Sequence, residues 1–120
     1  MIHLHYDEKY NAVIIEFVGK IDKEQGERYF LDLPGILPEK GKDFKLLVDL
    51  SCVESMDLEI QEFVVKAMDL FNARGVTKVV RIIPDPAKDI GLNILSIFHY
   101  DKRVKIFTVE SREEAMERLR

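Results

Sequence analysis

One cysteine, Cys52, is all the thiol that the 120-residue chain holds. That count excludes an internal disulfide and a cysteine metal cluster. Long apolar runs are missing too, so no stretch reads as a membrane-spanning helix. The opening "MIHLHYDEKY" is polar and has none of the apolar h-region of a signal peptide. A basic excess is also absent. The net charge is −4, and acidic and basic residues are interspersed, which argues against a general nucleic-acid binder. No glycine-rich phosphate loop, nucleophile elbow or HExxH pattern occurs, and no internal repeat. What is present is a chain 47% hydrophobic and 33% charged, long enough for one real core. A single domain over residues 1–120 is expected: intracellular, cytoplasmic and without a cofactor or metal.

The patterning divides that length into strands and helices. Ile2, Leu4 and Tyr6 alternate with His3, His5 and Asp7, the period of a half-buried strand. A polar turn, "DEKYN", leads to a second strand over 12–19, which makes a hairpin. Asp22 is placed to cap a helix that Pro34 should end by Leu33. The breaker-rich "PGILPEKGKD" then connects to an apolar strand over 44–50 of the kind buried on both faces. Asp57 is the expected N-cap of the next helix. Its Ile60, Phe63, Val64, Ala67, Leu70 and Phe71 recur at helical spacing, opposite Glu59, Glu62, Lys66 and Asp69. Gly75 is the expected stop.

A strand over 76–83 follows, then a helix from Pro86 to about Tyr100 with Asp85 as cap. "RVKIFTVE" reads as the last strand, and "SREEAMERLR" as a closing helix with Ser111 and Glu114 at capping-box spacing. The order β-β-α-β-α-β-α-β-α predicts right-handed crossovers. The fold class is therefore α/β, a mixed sheet of about five strands with a mainly parallel core. About four helices are expected, packed largely on one side of the sheet.

The hairpin start and the segment "DLSCVESMD", residues 49–57, resemble the STAS domain. That family includes the anti-sigma factor antagonists and the C-terminal domains of sulfate transporters. The segment looks like the family loop "DLSGVxxxDSSG". Val48 to Leu50 match its strand end, Ser51 and Val53 its loop, and Asp57 the acidic residue at the helix start. The resemblance implies a non-enzymatic interaction domain whose phosphoacceptor serine directly follows that aspartate. Here Leu58 stands at the serine position, Glu59 where a second Ser or Thr is frequent, and Ile60 in place of glycine. A leucine has no hydroxyl, so no phosphosite is expected there. A carboxylate at Glu59 supplies a constant negative charge, smaller than a phosphate and of different shape.

Other candidates are weighed against plainer roles. Ser55 and Ser51 are hydroxyls near the junction, and a loop serine commonly bonds local backbone. His3 and His5 share one side of a strand, but His99 is distant and no third ligand is evident. Cys52 is expected as a small buried residue under the loop. Asp89, Asn93, Ser96 and Tyr100 form a polar stripe, with Asp85 and Lys88 at its start and the carboxyl ends of strands beside it.

The partner-binding set expected from the sequence is Asp57, Leu58, Glu59, Asp85, Lys88, Asp89, Asn93 and Ser96. Its partner is a regulatory protein of the kinase or anti-sigma kind, with a homodimer also open. Neither nucleic acid nor membrane is expected. The alternative reading is a binding protein for a small anionic or lipid-like ligand near Asp57 and the Pro84 turn, which a buried elongated cavity would favour.

Overall fold

The computed structural model describes residues 1–39, 42–83 and 104–120. Their backbone forms one five-stranded sheet in the spatial order β1-β2-β3-β4-β5. β1 (Ile2–Asp7) runs antiparallel to β2 (Ala12–Ile21). β3 (Phe44–Met56), β4 (Val76–Ile82) and β5 (Lys105–Val109) continue the sheet in parallel with β2. The described residues hold three α-helices: α1 (Lys23–Ile36), α2 (Gln61–Arg74) and α3 (Arg112–Leu119). The further helix expected after Pro86 falls in 84–103, outside the described residues.

The central strands are apolar on both faces because both faces are covered. On one face Val13, Ile15, Phe17, Leu46, Leu50 and Val79 meet Tyr29 and Leu33 of α1 and Ala67 and Phe71 of α2. On the other, Ala12, Ile14, Leu47, Val80, Ile82 and Val109 meet Ala115 and Leu119 of α3. Two of the three described helices, α1 and α2, share one face of the sheet, and α3 closes the second. Burial of each Val, Leu, Ile or Phe side chain among these core residues stabilises by roughly 1.5–3 kcal/mol. The edge strand β1 keeps the alternation over its first four residues, with His3 and His5 exposed and Ile2 and Leu4 packed toward the core, and loses it at the turn, where Tyr6 is exposed and Asp7 half-buried.

Local chemistry sets most element ends. Asp22 accepts from the Gln25 N–H, and the Gln25 side chain accepts from the Asp22 N–H, a complete capping box. Gly75 closes α2 at φ +100°, a left-handed conformation in which a Cβ would also lie 3.2 Å from the Lys42 carbonyl. Ser111 accepts from the Glu114 N–H at 3.2 Å and starts α3.

Two boundaries differ from the pattern. α1 runs through Pro34 to Ile36, because a proline in the last turn forfeits a single helical hydrogen bond. Arg74 ties that end down, donating to the Pro38 carbonyl at 2.9 Å and the Pro34 carbonyl at 3.4 Å. β3 extends to Met56, six residues past the expected strand end at Leu50. Its pairing with β4 stops at Asp49, while Cys52, Val53, Ser55 and Met56 pair on with the second half of β2. Register irregularities between Glu16 and Val18, and between Gly19 and Lys20, accompany this extension. Among the described residues the outer half of β3 is thus a two-stranded arm, with Val53 turned into the core and Cys52, Glu54 and Ser55 exposed.

Candidate functional site

The arm delivers the chain to the strand-to-helix junction at the carboxyl end of the sheet. Asp57 donates its N–H to the Ile21 carbonyl at 3.0 Å, closing the arm, and a 3-10 turn (Leu58–Ile60) follows. The two hydrophobic residues of this turn separate sharply. Ile60 is 2% exposed, and it lies where α1 passes so close that a Cβ on Gly26 would sit 3.3 Å from its Cγ1. Leu58 is 81% exposed. Asp57 and Glu59 flank it, both exposed, with Glu59 3.8 Å from the Lys23 ammonium. The turn is therefore held from behind by Gly26, Ile60 and Phe63, and presents one apolar side chain between two carboxylates.

Asp57 does not play the expected capping role. Its side chain makes no cap hydrogen bond, and α2 proper begins only at Gln61, with Ile60 at the cap position and no side-chain cap there either. The intervening 3-10 turn, closed by the Ile60 N–H on the Asp57 carbonyl at 3.0 Å, uses the backbone instead. Asp57→Ala is accordingly expected to change stability by less than about 0.5 kcal/mol, whereas Asp22→Ala should lose about 1 kcal/mol. Urea unfolding of the two variants side by side reads the difference. Equal losses would contradict the uncapped turn.

The hydroxyls and the thiol fall into place around Asp49. One carboxylate oxygen of Asp49 accepts both the Ser51 N–H at 2.9 Å and the Ser51 hydroxyl at 2.6 Å. The other receives Arg112 of α3 at 3.1 Å, and the same guanidinium nitrogen lies 3.8 Å from Glu16. The Ser51 hydroxyl thus bonds a neighbouring carboxylate and not the backbone expected of a loop serine, and Arg112 anchors the start of α3 on the sheet. Cys52 was expected to be buried; it is exposed. Its partner across the strands is Val18, itself 37% exposed. Ser55 is exposed on the same arm. Pattern reading missed the Asp49–Arg112 bridge, since 63 residues separate the two and only the register of the strands brings them together.

Of the expected partner-binding residues, Asp57, Leu58 and Glu59 are together at the junction. Asp85, Lys88, Asp89, Asn93 and Ser96 lie outside the described residues. Among the described residues no group of three or more histidine, cysteine or acidic side chains could hold a metal. No helix there is long and apolar enough to cross a membrane. A cavity of about 40 Å³ lies between the sheet and the first two helices, lined by Tyr29, Met56, Met68 and Arg81 among others. It has room for a few water molecules, far below the roughly 300–1,000 Å³ of small-molecule pockets. Arg81, 5% exposed, donates to the Thr108 hydroxyl at 2.7 Å beside it.

An antiparallel hairpin feeding a parallel β2-β3-β4-β5 sheet, with the central helix starting directly behind the β3 arm, is the STAS, or SpoIIAA-like, fold. Solved structures place the chain there over its full length. A protein of the DUF3478 family with a SpoIIAA-like fold, from Shewanella loihica PV-4, superposes with a TM-score of 0.71, covering 100% of this chain and 93% of its own at 14% identity. The anti-sigma factor antagonist SpoIIAA in its unphosphorylated form gives 0.67, with 99% and 97% covered and 15% identity. The phosphorylated form of the Bacillus cell fate determinant SpoIIAA gives 0.67, with both chains covered completely at 16% identity. No protein-family model matches the sequence, and no curated protein does.

Proposed function

We propose that this chain is a non-enzymatic interaction module that docks a regulatory protein through Asp57, Leu58 and Glu59, without a serine phospho-switch. Exposed Leu58 is the observation that carries the reading. An aliphatic side chain held out by a turn whose other face is locked in the core loses little freedom on docking. An apolar side chain inside a charged rim has the anatomy of an interface core, and preorganisation lowers the cost of docking. The resemblance reads Leu58 at the position of the phosphoacceptor serine, and SpoIIAA has been solved in phosphorylated and unphosphorylated forms. In this chain residues 57–60 have no hydroxyl to modify, so docking is constitutive or controlled elsewhere. A partner of the kinase or anti-sigma kind is the first choice. Residues in 84–103 are not needed for this reading.

Incubation with an anti-sigma-type kinase and ATP tests the missing switch. Mass spectrometry should find no phosphate between Asp57 and Ile60, and complex formation should be the same with and without ATP. Stoichiometric phosphate on Ser55 that abolishes the complex would show that the switch had moved along the arm rather than vanished.

A further inference from the structure

The amino ends of β3, β4 and β5 carry three lysines in one cross-strand row. Lys45 lies opposite Lys78, and Lys78 opposite Lys105. Strand alternation puts all three on the face covered by α3, the face of Leu47, Val80 and Phe107. Adjacent strands are about 4.8 Å apart, so three like charges crowd into a span of about 10 Å. Like charges directly opposite one another weaken strand pairing. Arg118 adds a fourth cation, its guanidinium 4.9 Å from the Phe107 ring centre, with the Lys78 ammonium 5.8 Å from the same ring.

The end of α3 relieves part of this repulsion. Lys45 donates to the Leu119 carbonyl, and Lys78 to the Arg118 carbonyl at 2.6 Å. A helix C-terminus offers roughly half a negative charge, against four full positive ones. Seating α3 also takes only Lys45 and Lys78. The side chains of Lys105 and Arg118 have no hydrogen-bond or ion-pair partner among the described residues, where the ion pairs use Lys23, Lys42, Lys66 and Arg112 instead. Burial first, and then the charges of Lys45, Lys105 and Arg118, hold the Lys78 pKa below the ordinary lysine value. All this stands in a chain of net charge −4.

We propose that Lys105, Arg118 and the Lys45–Lys78 pair form a binding site for a compact, multiply charged oxyanion of phosphate chemistry. Spacing favours this class over an acidic peptide. Carboxylates on one side of an extended chain recur about every 6.7 Å, too far apart to match donors at about 4.8 Å. One phosphoryl group presents several oxygens to converging donors, and a guanidinium fork suits two of them. The site lies at the opposite sheet end from Leu58, so its success or failure is independent of the docking proposal.

Pyrophosphate is the probe. Calorimetric titration and thermal unfolding are run at ionic strength matched with sodium chloride, which removes general screening. Saturable binding and a raised unfolding midpoint are expected. Lys105→Gln and Arg118→Gln, both at exposed positions, should each fold normally and weaken binding at least tenfold, while Lys23→Gln leaves it unchanged. Vesicles containing phosphatidate form a second arm. Co-sedimentation that pyrophosphate displaces would identify a lipid headgroup as the source of the phosphate at the same site. Pyrophosphate no more stabilising than chloride, or equal binding by the two glutamine variants and the parent, would overturn the proposal. So would vesicle binding that pyrophosphate does not displace.

Discussion

Phe71→Ala is expected to lower the unfolding free energy by about 3–5 kcal/mol, the largest stability loss among the substitutions considered. Phe71 is 2% exposed, and its ring meets Phe44 edge-on with centroids 6.4 Å apart. That pair joins the last turns of α2 to the first residue of β3, close to where Gly75 reverses the chain. Truncation removes the apolar contact and leaves a void between two rigid elements that cannot collapse into it. A domain of this size holds roughly 5–15 kcal/mol in total, so a large part of its stability is at stake. Urea unfolding checks the value. A loss below about 1 kcal/mol would mean that α2 is not seated on the sheet through this pair.

Leu58→Asp should act in the opposite way, on binding and not on stability. Its side chain is almost wholly in water, so the unfolding midpoint should stay within the spread of ordinary surface substitutions, about 0.5 kcal/mol. Partner affinity should fall at least 30-fold, about 2 kcal/mol, because an apolar anchor is replaced by a third carboxylate between Asp57 and Glu59. Leu58→Met, which keeps the apolar volume, should bind nearly as the parent does. Normal binding by Leu58→Asp would return Leu58 to the status of an incidental surface residue.

The parts of this account that were legible in the sequence are those governed by local chemistry. Apolar runs at Leu46 and Val79 announced strands buried on both faces, and spacing along Ile60, Phe63, Ala67 and Phe71 announced the packed side of α2. Ser111 and Gly75 marked helix ends, since each satisfies or reverses backbone within a few residues of itself. The parts that were not legible depend on where another segment lies. Residues 51–56 read as a loop because Ser51, Glu54 and Ser55 are polar. They are a strand because the second half of β2 lies alongside, beyond the reach of β4. Cys52 was placed inside on its residue type, yet on this strand Val53 takes the inward side and its neighbour Cys52 faces outward.

The junction itself shows both kinds of outcome. Leu58 could be singled out from the sequence as a residue without a hydroxyl at a telling position. Its exposure, however, depends on the turn: Ile60 takes the inward position against Gly26, and Leu58, at the other end of the three-residue turn, faces outward. Asp57 had the right type and spacing for a cap, but the 3-10 turn between it and α2 puts it one turn too early. The lysine row was invisible for a similar reason. Positions 45, 78 and 105 have no relation along the chain until three parallel strands set them side by side.

Amide hydrogen exchange on the free protein and on its complex with the protein partner tests the central claim most directly. The account predicts new protection over residues 56–62, the turn that presents Leu58 and the start of α2, and loss of that protection in Leu58→Asp. Protection confined to the β1 edge or to the lysine row, with 56–62 exchanging as in the free protein, would contradict it.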